Sequence, residues 1–139
     1  MIAADLIAAY YAAHYQVMHP SGAFTLYIGQ YSSALARLFA EHQVTTAAFI
    51  TAYNPHSQPT DAAQNHQAQQ RLANDLTRYV YYAGVGLDPL GEWENEASFL
   101  VLGISLEQAL LLGQRYQQNA IVWVEENIIP AIIIVNETV

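Results

Sequence analysis

The spacing of apolar and polar residues along the chain predicts four helices. They span roughly residues 2–13, 33–42, 61–76 and a stretch that begins at 105. Ser32 or Ser33 caps the second helix and Thr60 caps the third, because hydroxyl side chains are favoured at these positions. Ser105 and Gln108 have the spacing of a capping box, which defines the start of the fourth helix.

The segments between these helices are rich in β-branched and aromatic residues, which favour strands. Two short runs around the Pro-Ser-Gly turn at residues 20–22 predict a first hairpin, and AIVWV and PAIIIV predict a closing hairpin around EEN. RYVYYAGVG is a further strand. The three most apolar strands are expected to lie centrally in the sheet, and they span residues 46–53, 98–104 and 120–124.

The order of these elements along the chain predicts an α+β fold. We expect a single globular domain over residues 1–139. Its core is expected to be a mostly apolar mixed sheet of about six to seven strands, with about four helices packed on it.

The composition of the chain bears on whether it folds and on its location in the cell. Hydrophobic residues make up 53% of the chain and charged residues 12%, about half the charged fraction of an ordinary globular protein. This is enough apolar surface to fill a core, which excludes a disordered chain. The first residues include Asp5 and lack the basic start of a signal peptide, and no uncharged apolar run reaches the ~20 residues of a membrane span. We therefore expect a cytoplasmic protein that makes no membrane contact.

Charge and missing residue types exclude several kinds of chemistry. The net charge is −8, from 12 acidic residues against four arginines and no lysine. Four basic residues are too few for a nucleic-acid-binding patch. Without lysine there is no Walker-type phosphate loop and no Schiff base, and without cysteine there is no disulfide or thiolate chemistry.

The loop TAYNPHSQPT is the first candidate site. It connects an apolar strand to the start of a helix, a position where ligands commonly bind. Asn54, His56 and Ser57 supply an amide, an imidazole and a hydroxyl there, and Asn65 falls on the apolar stripe of the third helix. A buried amide needs hydrogen-bond partners, which Asn54 can supply. The two asparagines either bind a ligand or only hold the loop in shape.

Acidic residues in GEWENEAS form the second candidate site. Glu92, Glu94 and Glu96 alternate, which places all three on one side of an extended segment. They could bind Mg²⁺ or Ca²⁺, or one could be an acid with a raised pKa; a solvated acidic loop is the alternative. Glu96 and Ser98 border the buried strand and are the stronger candidates.

The remaining patterns give little support for a metal or a catalytic triad. The histidines do not have zinc-ligand spacing, so we predict no metal site and no cofactor. A triad can be drawn from Ser57 or Ser98 with His56 and Glu96, but no G-x-S-x-G turn supports it.

Three segments together resemble a known bacterial family. They are FITAYNPHS with Asn65 downstream, then Trp93, Glu96 and the strand SFLVLGIS, and then LGQRYQQNAIVW. This combination resembles domain of unknown function 3293. The resemblance implies a small bacterial cytosolic domain without an assigned activity. The motif positions that it carries over are the polar residues Asn54, Asn65, Glu96, Ser98 and Gln118, with Pro55, and the packing residues Gly103, Gly113 and Ala120.

Three functional hypotheses follow from these residues. The first is a non-enzymatic binding or accessory module that recognises a small polar ligand or a protein partner through the loop at residues 54–57. Its predicted ligand-binding residues are Asn54, His56, Ser57, Asn65, Ser98 and Gln118. The second is a hydrolase or transferase that uses Glu96 or His56 as acid or base. The third is a structural homodimer formed through an edge strand and the tyrosines at 79, 81 and 82.

Overall fold

A computed structural model describes residues 3–91 and 93–135. Within them, a seven-stranded sheet is curled into a half-barrel and accompanied by four α-helices. The helices are α1 (Ala4–Ala12), α2 (Ser33–His42), α3 (Ala62–Asp75) and α4 (Leu106–Arg115). The strands are β1 (His14–Val17), β2 (Phe24–Leu26), β3 (Ala47–Ile50), β4 (Val80–Leu87), β5 (Glu96–Leu102), β6 (Ala120–Val124) and β7 (Ala131–Ile134).

The strand order in the sheet is β2-β1-β4-β5-β3-β6-β7. The α+β class is confirmed, and so is the position of the three most apolar strands: β5, β3 and β6 are neighbours and none lies at an edge. The expected mixed sheet is corrected, because every pairing between the described strands is antiparallel. Helix α4 does connect two strands of the same direction, β5 and β6. However, β3 is inserted between them and is antiparallel to both.

Helix caps follow the sequence with one correction. The Ser32 hydroxyl accepts from the Leu35 N–H and the Ser105 hydroxyl from the Gln108 N–H, as predicted. Helix α3 is capped by Asp61, whose Oδ1 accepts from the backbone N–H groups of Ala63 and Gln64, and not by Thr60. The reason is that Thr60 is held in the preceding loop, where its N–H donates to the side chain of Asn54.

The sheet has an apolar core on each face. On the outer face, α3 and α4 pack against alternate residues of β3, β5 and β6. On the inner face, α2 packs through Leu35, Leu38 and Phe39. Leu26 of β2 and Ile132 of β7 belong to opposite edges of the sheet, yet both join the inner cluster. The sheet therefore curls around the inner core.

The inner face changes from apolar to polar along its length. On β5, Leu102 and Leu100 are followed towards the strand start by Ser98 and Glu96, which point to the same face. On β3, Phe49 is followed by Thr51. These polar residues mark the end of the inner face where the three central strands leave room for a cavity.

The three tyrosines proposed for an association face do not share one. Tyr81 packs edge-on against Phe99 on the outer face, with ring centroids 5.1 Å apart. Tyr82 joins the inner cluster, and its hydroxyl lies 3.0 Å from Nε2 of His42. Strand β4, which carries both, lies inside the sheet. The homodimer stays a prediction, but these tyrosines do not supply a common surface for it.

Among the described residues, no helix is both long and apolar enough to span a bilayer.

The close packing of Phe49 against β4 gives a stability prediction. A Cβ placed on Gly84 would lie 2.7 Å from the Phe49 ring and 2.7 Å from the Gln16 carbonyl oxygen. We expect Gly84→Ala to lower the free energy of unfolding by about 1–3 kcal/mol, because the ring or the strand must shift. Urea denaturation measures this change.

Gly86 on the same strand is the matched control. A Cβ there has only the Glu96 carbonyl oxygen within 4 Å, at 3.9 Å. We expect Gly86→Ala to change stability by less than about 0.5 kcal/mol. Equal losses of unfolding free energy in Gly84→Ala and Gly86→Ala would show that the close approach of Phe49 and Gln16 does not explain the glycine at position 84.

Candidate functional site

A cavity of about 70 Å³ lies at the polar end of the inner face. The sheet contributes polar-end residues that include Gly86, Glu96 and Ser98, and Thr51 directly after β3 also lines the cavity. Residues from four other segments join them, and they are Tyr10 of α1, Ser57 of the loop after β3, Trp93 of the loop before β5, and Gln118 and Asn119 before β6. Five parts of the chain therefore meet around one small space.

Of the residues that the structure describes, Glu96 is the only acidic one in this lining. The structure begins β5 at Glu96, two residues earlier than the sequence predicts, so its carboxylate projects from a paired strand position. Oε2 accepts a 2.7 Å hydrogen bond from Nδ2 of Asn54. Burial raises the pKa of Glu96 above its ordinary value, and the hydrogen bond from Asn54 opposes this only in part.

Asn54 is held by a pair of reciprocal amide contacts with Asn65. Its backbone N–H donates to Asn65 Oδ1 at 2.9 Å, and its own Oδ1 accepts from Asn65 Nδ2 at 2.9 Å. The same Oδ1 also accepts from the N–H of Thr60 at 3.1 Å. Asn65 is only 5% exposed, so it supports Asn54 from within the fold. The buried amide inferred from the helical stripe has the partner that the sequence suggested.

Helix α3 also fixes the end of β3. Asn65 and Gln69 are one helical turn apart and face the same side. Gln69 Oε1 accepts from the N–H of Ala52 at 2.9 Å, while Asn65 accepts from the N–H of Asn54. Two amides on one helix thus replace the strand partners that β3 loses after Ile50, and they set the point where the chain turns towards the cavity.

The loop after β3 has an unusual backbone. Asn54, His56 and Ser57 all have positive φ, between 49° and 58°. Asparagine tolerates this region well, while serine and histidine less often adopt it. The His56 N–H donates to the Gln117 carbonyl oxygen at 2.7 Å and the Ser57 N–H to the Asn54 carbonyl oxygen at 2.8 Å. These bonds hold the turn so that the Ser57 hydroxyl points to the cavity.

Three polar groups form what we call the hydroxyl–amide cluster: Tyr10, Ser57 and Asn119. The Tyr10 hydroxyl lies 2.7 Å from Ser57 Oγ. Asn119 Nδ2 donates to both oxygens, at 3.3 Å and 3.1 Å. No residue of α1 is buried, so this cluster and a bond from the Tyr15 hydroxyl to the Tyr10 carbonyl oxygen anchor the end of the helix.

The predicted ligand-binding residues occupy different positions. Asn54, Ser57, Ser98 and Gln118 line the cavity, whereas Asn65 lies behind Asn54. His56 is exposed and its side chain is not part of the lining. Gln118 also braces the backbone, because its Nε2 donates to the carbonyl oxygens of Tyr53 and Tyr116.

The triad drawn from the sequence does not assemble. Ser57 Oγ contacts Tyr10 and Asn119, and Ser98 Oγ donates to the Glu96 carbonyl oxygen at 3.1 Å. Neither hydroxyl has His56 as its hydrogen-bond partner.

Sequence reasoning did not assign Tyr10 or Asn119 to the site, and it named Trp93 only as part of the family resemblance. Asn119 lies beside the predicted residue Gln118, so proximity in sequence was a usable signal for it. Tyr10 is 47 residues from its partner Ser57, and nothing in the helical pattern of α1 distinguished it.

The acidic segment does not assemble a metal site among the residues that the structure describes. Within residues 3–91 and 93–135, no three His, Cys, Asp or Glu side chains are grouped closely enough to hold a metal ion. Glu92 lies outside the described residues, and Glu94 is exposed.

Loss of the Asn54 side chain tests whether it stabilises the fold. Asn54→Ala removes three hydrogen bonds. It leaves Oε2 of Glu96 and the N–H of Thr60 without these partners, and Asn65 Nδ2 keeps only its bond to the Thr60 carbonyl oxygen. We expect the free energy of unfolding to fall by about 1–3 kcal/mol in urea denaturation. His56→Asn is the control, since it keeps a residue that tolerates positive φ and changes only an exposed side chain. An unfolding midpoint equal to that of the wild type would contradict this role for Asn54.

Glu96 predicts a pH dependence of stability. Because its pKa is higher in the fold than in the unfolded chain, the folded state binds this proton more tightly. The tighter proton binding stabilises the folded state at low pH. This stabilisation is lost as pH rises from 4.5, the ordinary pKa of the carboxyl group, through its raised pKa in the fold. Glu96→Gln keeps an oxygen acceptor for Asn54 but has no proton to lose.

We therefore expect the melting temperature of Glu96→Gln, minus that of the wild type, to increase between about pH 4 and pH 8. Thermal denaturation followed by circular dichroism measures both proteins. Curves that remain parallel across this range would show that the pKa of Glu96 is not raised.

A family model described as protein of unknown function, DUF3293, matches residues 50–121, just over half of the chain. The matched part runs from the end of β3 to the start of β6. It contains the polar residues Asn54, Asn65, Glu96, Ser98 and Gln118. No curated protein and no solved structure matches the chain. The match confirms the family indicated by the sequence motifs, and the chain belongs to the DUF3293 family.

Proposed function

We propose that this protein binds a small polar molecule in the cavity beside Glu96. The observation that carries the proposal is a largely buried carboxylate with one oxygen held by Asn54 and the other free of any hydrogen bond from a described residue. Burying a carboxylate is unfavourable unless it is paired. A ligand that donates a hydrogen bond to the second oxygen would supply the missing partner.

The walls of the cavity suit a ligand with both polar and apolar parts. Phe49, Trp93 and Ile132 provide apolar surface, and the hydroxyl–amide cluster provides polar groups opposite the sheet. Small-molecule sites commonly combine mainly apolar walls with a few oriented polar groups. The volume of about 70 Å³ suits one functional group of a larger molecule whose remainder extends to solvent.

The positions of the polar residues support a positioning role for the loop at residues 54–57. Asn54 orients Glu96, and Ser57 forms hydrogen bonds with Tyr10 and Asn119 at the cavity. Asn65, Gln69 and Gln118 in turn hold the backbone that carries these residues. A binding site held by buried amides has its shape before the ligand arrives, which reduces the entropy lost on binding.

A catalytic use of Glu96 is the second candidate function. Its support is the raised pKa, which is typical of general acids. His56 does not line the cavity, so of the two residues considered as acid or base this candidate function rests on Glu96. Chemical change of a bound ligand, followed by mass spectrometry and lost in Glu96→Gln, would favour this second function over binding.

A thermal-shift screen with nucleosides, sugars, amino acids, amines and polyols tests the binding proposal. A ligand at a hundredfold excess over its Kd adds about 2.7 kcal/mol, which raises the melting temperature by several degrees. Gly86→Leu is the diagnostic variant, because the space in front of Gly86 is open and forms part of the cavity wall. We expect it to remain folded and to lose the shift.

Ala83→Leu is the matched control on the same strand, since Ala83 is exposed and lies outside the cavity lining. It should keep the shift of the wild type. A shift of equal size in Gly86→Leu would place the ligand elsewhere, and no shift from any compound class would contradict small-molecule binding.

A further inference from the structure

We infer that the ligand of this cavity presents a primary ammonium group, which Glu96 binds as its counter-ion. This inference rests on the proposed function and specifies the ligand class for the same site.

The charge of the cavity favours a cation. Among the described residues, Glu96 is the one charged side chain of the lining, and no described arginine or histidine contributes to it. A carboxylate or phosphate ligand would therefore meet a buried negative charge with no cation to offset it. The net charge of −8 also attracts cations to the protein and repels anions.

Hydrogen-bonding capacity points to a ligand that donates. Glu96 Oε1 and Asn119 Oδ1 receive no hydrogen bond from a described residue. Ser98 Oγ and the Tyr15 hydroxyl oxygen each use their proton on a backbone carbonyl, and their lone pairs remain available. All four acceptors belong to residues that line the cavity.

Donors of the same lining are largely used within the protein. Asn119 Nδ2 donates to Tyr10 and Ser57, and the Thr51 hydroxyl donates to the Ala97 carbonyl oxygen. Gln118 Nε2 donates to two backbone carbonyls. An ammonium group has three donors and no acceptor, which complements a cavity with more free acceptors than free donors.

Aromatic side chains add a second source of attraction for a cation. Tyr15, Phe49 and Trp93 all contribute to the lining. Tyr15 and Phe49 pack edge-on with ring centroids 5.4 Å apart, so their ring orientations are fixed. Cations are attracted to aromatic faces, and the attraction increases where water is excluded.

A divalent metal ion fits this cavity less well than an ammonium group. Mg²⁺ and Ca²⁺ need six or more oxygen ligands, usually with several carboxylates. Within residues 3–91 and 93–135, the lining offers one carboxylate, and no group of three His, Cys, Asp or Glu side chains could hold a metal ion.

Binding of an amine should depend on the ionisation of Glu96. The other titratable groups of the lining are the phenols of Tyr10 from α1 and Tyr15 from β1, while β3, β6, β7 and the loop at residues 54–57 contribute none. Burial raises the pKa of the Tyr15 phenol, so it stays neutral. An alkylamine stays protonated to about pH 10, so affinity should rise with pH as Glu96 ionises.

Isothermal titration calorimetry with butylamine, 1-butanol and butyrate tests the ligand class, because the three share a chain and differ in the end group. The buffer contains about 0.15 M salt to screen non-specific attraction. At about pH 8 we expect the wild type to bind butylamine about tenfold or more tightly than 1-butanol, and butyrate the least. The affinity for butylamine should fall between about pH 8 and pH 5.

Glu96→Gln keeps the shape of the side chain and should abolish both the preference for butylamine and its pH dependence. Glu94→Gln removes one exposed charge outside the cavity and should retain both. Equal binding of butylamine and 1-butanol, or an unchanged preference in Glu96→Gln, would overturn the amine assignment, as would the absence of butylamine binding.

The proposed function fails under a different result. It fails if no compound of the thermal-shift screen gives a shift that depends on Gly86. A Gly86-dependent ligand without an amino group would overturn the amine assignment alone.

Discussion

The side chain of Asn54 holds together the part of the structure where a site can form. It joins the end of β3 to α3 through Asn65, to the start of α3 through Thr60, and to β5 through Glu96. Thr60 and Asn65 are 6 and 11 residues from Asn54, whereas Glu96 is 42 residues away and belongs to another strand. A buried polar network of this kind fixes geometry most firmly where its members are paired. The unpaired oxygen of Glu96 is therefore the position at which the network is open to a ligand.

The sheet explains why the opening lies where it does. Curling brings Leu26 and Ile132, from opposite edges, onto one inner core. Leucines fill the inner face on one half of β5, and Ser98 and Glu96 replace them on the other half. Those shorter or polar side chains cannot fill the space that the curl encloses. The burial of Glu96 that forms the proposed site also lowers the stability of the fold. The desolvation that raises its pKa costs free energy at neutral pH.

Much of the fold was predictable because it depends on local chemistry. The number and order of the helices and strands, two of the three predicted caps and the closing hairpin follow from periodicity, cap preferences and turn residues. Thr60 was wrong as a cap because a long-range bond to Asn54 holds it in the loop. The mixed sheet was wrong because no local pattern reports that β3 inserts between β5 and β6.

For the candidate site, too, some features were predictable from the sequence and others depend on the tertiary structure. The sequence by itself determined that Asn54 follows a buried strand, that Asn65 is buried on a helix and that Glu96 and Ser98 border the core, since each depends on spacing within one element. Only the tertiary structure decided that Tyr10, Ser57 and Asn119 meet and that the side chain of His56 stays outside the cavity. Periodicity identifies which face of its own element a residue occupies. Contacts between elements depend on strand order and loop geometry, which long-range packing sets.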